Sequence, residues 1–214
     1  MLNEFTIEVL KATGETTYMI IISTLGAILL GWPIGTIVFI NQSLTDRPLI
    51  ARGLNMLINT TRSIPFLIFM VAIIPLTRWL VGTAIGIQAA IIPLTLGATP
   101  LVARLIIQNY EQLPTGIIEY GLSIGATPYQ MIRFMLRQET LPMFIDTVSM
   151  TAITLVSYSA LAGALGGGGL GDLAIRYGYQ RFDTLTMLIT TAILVVMVHG
   201  IQWLGDHLRQ KIQH

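Results

Sequence analysis

The segment that most resembles a catalytic motif is Gly121–Gly125, whose letters GLSIG match the pattern G-x-S-x-G. In hydrolases this pattern is a sharp strand-to-helix turn that exposes a serine nucleophile, and an acid and then a histidine follow along the chain. Asp172 or Asp183 and then His199 do follow in that order. However, residues 113–120 carry a proline near their start and no alternation of apolar and polar residues, so the required strand is missing. The segment therefore does not predict a serine hydrolase.

The other motifs offer no metal or nucleotide chemistry. Gly166, Gly168 and Gly171 spell G-x-G-x-x-G, but no strand–helix unit surrounds them. The sequence contains neither H-E-x-x-H nor a P-loop G-x-x-x-x-G-K-[ST], and it has no cysteine. His199 lies near the end of an apolar stretch, where we expect a structural role. We therefore expect no catalytic residue, no metal site and no cofactor bound by this chain.

The composition indicates a protein that lies in a membrane. Of the 214 residues, 53% are hydrophobic and only 11% are charged, whereas a soluble domain has about 25% charged residues. The mean hydropathy is +0.72. The formal net charge of +1 gives no field that would attract a nucleic acid. These values exclude a cytosolic enzyme and a nucleic-acid binder, and they predict an all-α integral membrane protein.

Apolar stretches long enough to cross a bilayer recur along the chain. A membrane-spanning helix needs about 20 apolar residues, and we predict five such spans at about 17–41, 55–77, 79–103, 147–171 and 184–205. Small residues at helix-contact spacing let helices approach closely in lipid. The glycines that we expect to pack helices in this way are Gly31 with Gly35, Gly82 with Gly86, and Gly163, Gly167 and Gly171.

The charges predict the orientation. Five spans place the two termini on opposite sides, and lysine and arginine favour the cytoplasmic segments. With the C-terminus inside, the inner segments hold seven basic residues (Arg47, Arg52, Arg104, Arg133, Arg137, Arg209 and Lys211). The outer segments hold four (Lys11, Arg78, Arg176 and Arg181), and Arg62 lies within the second span. We therefore predict an outer N-terminus and an inner C-terminus. Acidic residues outnumber Lys11 near the N-terminus, which argues against a cleaved signal peptide.

The longest segment between spans, about 111–142, predicts two short helices on the inner face. Pro114 starts the first helix, and Gly125 is placed to end it in a left-handed conformation. Thr127 then caps a second helix, with Pro128 at its first position and Gln130 at its third. Residues 112–132 contain no lysine or arginine, which argues against attraction to a lipid surface. We interpret this helix–turn–helix as a docking element for a cytoplasmic partner.

The same segment resembles a known family. Glu119 followed by Gly125 matches in part the EAA loop of ABC-importer permeases, E-A-A-x3-G-x9-I-x-L-P. The segments Arg62–Phe66 (RSIPF), Gly86–Arg104 and Tyr158–Gly171 are similar to those of methionine-type ABC permeases, the binding-protein-dependent inner-membrane components. Together they cover most of the chain from the second span onward.

The resemblance implies a single permease domain over 1–214, in a bacterial inner membrane. It implies a homodimer, two cytoplasmic ATPase subunits that bind ATP and Mg, and an external substrate-binding lipoprotein. The function would be ATP-driven import of methionine and close analogues. Two alternatives stay open: a permease of the same type for a different small solute, and a channel or secondary transporter.

The resemblance also implies roles for individual residues. Those expected to couple the chain to the ATPase are Glu119, Gly125, Ala126 and Thr127. Independently of the resemblance, an apolar constriction with a few hydroxyls can close by excluding water, and the candidates for such a gate, midway along the fourth span, are Tyr158, Ser159 and Leu161. Those that match the structural motif of the family in the second span are Arg62, Ser63 and Pro65.

Overall fold

The computed structural model describes residues 2–44 and 48–212, and these contain helices and no strand. The helices are α1 (Leu2–Phe39), α2 (Pro48–Ser63), α3 (Phe66–Ala72), α4 (Ile74–Val81), α5 (Ile87–Glu111), α6 (Thr115–Ser123), α7 (Pro128–Gln130), α8 (Arg137–Ala164), α9 (Gly169–Leu173) and α10 (Thr184–Ile212). Short π-helical segments follow α1 (Ile40–Leu44), α7 (Met131–Leu136) and α9 (Ala174–Tyr179). Arg47, which the charge count above includes, and His214 lie outside the described residues.

Four helical stretches in the described part of the chain are long and apolar enough to cross a bilayer. They are Glu4–Leu44, Ile87–Glu111, Glu139–Ala164 and Thr184–Ile212. A fifth candidate consists of Leu49–Ser63 and Phe66–Ala72, which meet at an angle of 103°. The described residues therefore form an all-helical fold with four candidate membrane spans, or five if the bent pair counts as one.

The bend between α2 and α3 arises at Pro65. Proline has no N–H to donate, and its ring prevents the preceding residue from staying helical. Pro65 adopts φ −55° and ψ 131°, an extended conformation, and α3 begins at the next residue. The predicted second span, 55–77, therefore includes this break, and the predicted third span, 79–103, includes the turn between α4 and α5.

The glycines of that turn have a different role from the one that their spacing suggested. Gly82 and Gly86 have φ values of +81° and +97°, and an added Cβ atom at either would meet nothing within 4 Å. The prediction that they pack helices is therefore wrong. Gly82 ends α4 in a left-handed conformation and Gly86 precedes α5, where a residue with a Cβ atom would be strained.

The centre of the fold is the parallel pair α1 and α5. A Cβ atom added at Gly31 would lie 2.7 Å from the Val102 side chain, and one added at Gly35 would lie 2.5 Å from the Ala103 carbonyl oxygen. Glycine spacing thus lets the two backbones approach closely, as the sequence predicts for this pair. Beyond them, Phe39 packs on Tyr110 with ring centroids 4.9 Å apart.

Contacts with α8 and α10 define two ends of the bundle. Asn109 near the end of α5 donates to Thr147 near the start of α8 at 2.9 Å, so α8 runs antiparallel to α5. Arg209 near the end of α10 pairs with Asp146 at 2.9 Å. The helix–turn–helix 115–130 and the end of α10 therefore share one end, and the start of α1 lies at the other.

At this other end, side chains of α1 bond to the backbone of the glycine-rich segment that follows α8. The carboxylate of Glu15 accepts the backbone N–H of Gly169 at 2.9 Å, and the Thr16 hydroxyl accepts that of Leu170 at 2.8 Å. These side chains satisfy donors that the first turn of α9 would otherwise leave free. The helix that the sequence extends to residue 171 in the fourth span ends at Ala164.

Candidate functional site

The helix–turn–helix that follows α5 has the local geometry that its sequence predicts. Pro114 precedes α6, and Gly125 ends it with φ +70°. Thr127 and Gln130 form a reciprocal capping box: the Thr127 hydroxyl accepts the Gln130 N–H at 3.3 Å, and the Gln130 side chain accepts the Thr127 N–H at 2.9 Å. These bonds fix the angle at which the chain leaves the turn.

The second helix of this unit is not separate from the span that follows. α7 passes through the π-helical segment Met131–Leu136 directly into α8, the long fourth span. The sequence predicts a loop that ends at about 142 and a separate span from 147, but no glycine or proline interrupts the chain between Gln130 and Pro142. The turn at Gly125 is therefore joined to α8 by continuous helical chain from Pro128 onward.

The outer surface of this unit carries large apolar and aromatic side chains beside polar ones such as Gln130 and Arg133. Its exposed large side chains are Tyr120, Leu122, Ile124, Tyr129 and Phe134, each more than half exposed. Large apolar side chains clustered on an exposed surface are typical of a binding surface for another protein. Glu119 is exposed next to them, while Gly121 and Met131 are buried against the bundle. The four coupling candidates, Glu119, Gly125, Ala126 and Thr127, thus belong to one compact element.

The gate candidates do not share a face of α8. Leu161 is 41% exposed and Tyr158 is half-buried, whereas Ser159 is only 2% exposed and its hydroxyl donates to the Val156 carbonyl at 2.8 Å. An α-helix turns by about 100° per residue. Met150 and Thr154 therefore lie on the same face as Tyr158 and Leu161, and Ser159 points into the bundle.

Tyr158 forms one wall of a cavity between α2, α3, α5 and α8. Its ring stacks on Phe66, with centroids 4.0 Å apart and planes within 4°. The cavity has a volume of ≈ 200 Å³, and Arg62 and Thr154 are also among its lining residues. Pro65 forms the break that places α3 here, and the exposed Ser63 donates to the Asn59 carbonyl at 2.9 Å.

The sequence does not predict that Thr154 lines this cavity, nor that Phe66 stacks on Tyr158. Thr154 lies four residues before Tyr158 on the same helix, and this spacing is a signal that indicates Thr154 as its neighbour. Nothing local in the sequence indicates that Phe66 meets Tyr158, because 92 positions separate them.

Ser123 and His199, which take part in the hydrolase-like motif, bond within their own helices. The Ser123 hydroxyl donates to the Glu119 carbonyl at 2.8 Å within helix α6, so no strand-to-helix turn presents it. A ring nitrogen of His199 lies 2.9 Å from the Val195 carbonyl oxygen within α10. Among the described residues, no group of three or more His, Asp or Glu side chains could hold a metal ion.

Comparisons with known proteins point to one family. A family model described as "Binding-protein-dependent transport system inner membrane component" matches residues 27–214. The "Probable D-methionine transport system permease protein MetI" of Vibrio cholerae is 48% identical over 207 residues, which cover 96% of this chain and 92% of that protein. The protein of the same description from Haemophilus influenzae is 43% identical over 212 residues, covering 96% and 98%.

Chains in solved structures of ABC transporters also resemble this one. The inward-facing MetNI methionine ABC transporter, in its CY5 native crystal form, contains a chain that is 37% identical to this one. The two chains superpose with a TM-score of 0.96 over 99% of each. A crystal structure of an amino acid ABC transporter with histidines has a TM-score of 0.79 at 16% identity, a likeness of fold alone.

Proposed function

The chain belongs to the binding-protein-dependent transport system inner membrane components, and on this premise we propose that it is the permease subunit of an ABC importer for methionine. The observation that carries this proposal is the 48% identity to a D-methionine permease over 96% of the chain. The resemblance identified from the sequence is confirmed, and so is the membrane assignment. The chain is a multi-pass protein of the inner membrane.

Energy must come from other subunits. The sequence has no P-loop, so we assign ATP and Mg binding to two cytoplasmic ATPase subunits. The exposed apolar surface of α6 and α7 is suited to dock them, with Glu119 and Gly125 shaping that surface. Because α7 continues into α8, movement of a docked ATPase would be transmitted to the helix that carries Tyr158 and Leu161.

The pathway requires a second copy of the chain. One bundle leaves Met150 and Leu161 exposed on one face of α8, and a two-fold axis beside that face would place Leu161 of each protomer across from the other. An apolar constriction of this kind can close by excluding water. The external substrate-binding lipoprotein would then deliver methionine at the end of the bundle that holds the start of α1.

The orientation that these roles need is an outer N-terminus and an inner C-terminus. Because the chain has no cysteine, single cysteines report accessibility without interference. We expect Ser123→Cys to react with a membrane-impermeant maleimide only from the cytoplasmic side, and Thr83→Cys only from the outside. Labelling of Ser123→Cys from outside would contradict ATPase docking at this loop.

Whole-cell uptake tests the proposed substrate. Deleting the gene should abolish high-affinity uptake of labelled methionine, and expression of this chain should restore it. Unlabelled methionine should compete in the restored cells, whereas other amino acids should not. Uptake that another amino acid inhibits and methionine does not would show a permease of the same type with a different substrate.

A further inference from the structure

Arg62 combines two features: its side chain has no protein partner in the described part of the chain, and it lines the cavity between α2, α3, α5 and α8. Among residues 2–44 and 48–212, no hydrogen bond or ion pair involves its side chain. An arginine at the centre of a span costs about 2.5–3.5 kcal/mol on insertion scales, and such residues mark transport pathways by default.

The cavity that Arg62 lines lies near mid-membrane. Gly97 and Leu101 of α5 also line it. They lie roughly 15 and 21 Å along a helix that is about 36 Å long. The cavity adjoins the face of α8 that carries the exposed Met150 and Leu161, since Thr154 and Tyr158 belong to both. A solute that moves along that face would therefore meet Arg62 halfway through the membrane.

The lining divides into a charged part and an apolar part. Arg62 offers a guanidinium, which binds a carboxylate in a bidentate manner. Phe66, Phe69 and Leu101 offer apolar walls. A thioether makes favourable contacts with aromatic rings, so the two phenylalanines are suited to a methionine side chain.

Two threonines complete the polar set. The Thr61 hydroxyl donates to the Leu57 carbonyl at 2.9 Å, and the Thr154 hydroxyl donates to the Met150 carbonyl at 2.8 Å. Because each hydroxyl hydrogen is used within its own helix, the oxygen atoms that face the cavity are left as acceptors. Acceptors are what an ammonium group requires.

We propose that this cavity is a transient binding site for the zwitterion of the transported amino acid, in which Arg62 binds the α-carboxylate. The proposal rests on the proposed function for the identity of the solute. The volume of ≈ 200 Å³ is below the roughly 300–1,000 Å³ of pockets for drug-sized ligands, which is appropriate for a single amino acid. Thr61 and Thr154 would accept from the ammonium, and Phe66 and Phe69 would contact the thioether.

Photolabelling of the assembled complex tests the site directly. The probe is a diazirine analogue of methionine that keeps the carboxylate and the ammonium. It is applied to the permease–ATPase complex in lipid nanodiscs without the binding protein, and the labelled peptides are identified by mass spectrometry. We expect label in peptides that contain Phe66–Phe69 or Thr154–Tyr158. Methionine should compete roughly ten- to hundredfold better than methioninol, which lacks the carboxylate.

Variants isolate the guanidinium. Arg62→Gln should lower labelling at least tenfold and remove the preference for methionine over methioninol, and Arg62→Lys should give an intermediate value. The matched control is Arg104→Gln, because Arg104 lies in α5, one of the helices around the cavity, but does not line it. It should label like the wild type. Equal labelling of Arg62→Gln and the wild type would overturn the proposal.

The wild-type complex gives a second test that does not depend on any variant assembling. Equal competition by methionine and methioninol, or label confined to other segments, would overturn the site even if Arg62→Gln fails to assemble. A complex that imports methionine with ATP and the binding protein but shows either result would lack this site only. Failure of ATP-driven methionine import by the wild type would instead overturn the proposed function.

Discussion

The close approach of α1 and α5 predicts a large difference between two identical substitutions in one helix. A Cβ atom added at Gly35 would lie 2.5 Å from the Ala103 carbonyl oxygen and 3.0 Å from the Ile106 Cβ atom, whereas one added at Gly14 would meet nothing within 4 Å. Both Gly→Ala changes gain about 1 kcal/mol of helix propensity. The difference in stability between the two variants therefore isolates the packing cost at Gly35.

That cost should be about 1–3 kcal/mol, the range for adding a methyl group to a well-packed interior. For a chain of this size each kcal/mol lowers the melting temperature by about 2–4 °C. Gly35→Ala should therefore melt about 2–12 °C below Gly14→Ala. The assay is loss of the monodisperse peak on size-exclusion chromatography after heating the detergent-purified permease. Equal melting temperatures would refute the backbone contact between α1 and α5.

Three further predictions concern the turn, the gate and the start of α10. Gly125→Val should lose ATPase association while the permease still inserts, because φ +70° is costly with a branched side chain and space is not limiting. The control is Gly116→Val, where an added Cβ atom would also meet nothing within 4 Å. This control should still co-purify with the ATPase. Leu161→Ala should assemble normally, with ATPase activity uncoupled from the binding protein. Leu155→Ala, at a fully buried position, should lose about 2–5 kcal/mol of stability and give a low yield. The reverse pattern would contradict the assignment of Leu161 to the gate. The Thr186 hydroxyl and N–H both donate to Asp183 and lower the pKa of its carboxyl. The ionised carboxylate therefore stabilises the fold above about pH 4, and this stabilisation is lost as the pH falls through the lowered pKa. Asp183→Asn should flatten the dependence of melting temperature on pH between 6 and 3.

Local features of the loop after α5 could be predicted from the sequence. The capping box of Thr127 and Gln130 depends on residues three positions apart, and the left-handed Gly125 depends on one residue. Such features need no tertiary contact to form. The close approach at Gly31 and Gly35 was predicted as well, although not the identity of the helix that they face.

Features that depend on distant contacts could not be predicted. A uniformly apolar span does not reveal which face is buried, so Ser159 was grouped with Tyr158 and Leu161 although it points inward. The break at Pro65 reorients α3 by 103°, which hydropathy does not register. Gly82 has the same spacing to its neighbour as the packing glycines but lies in a turn.

Reconstituted transport tests the central claim most directly. The chain is combined with its ATPase subunits in proteoliposomes, with labelled methionine and the binding protein on the side of residues 82–86 and ATP on the side of the 115–130 unit. We predict accumulation of methionine on the ATP side against its gradient, with none when ATP is replaced by a non-hydrolysable analogue. Downhill equilibration that is independent of ATP and of the binding protein would show a channel or secondary transporter and contradict the assignment.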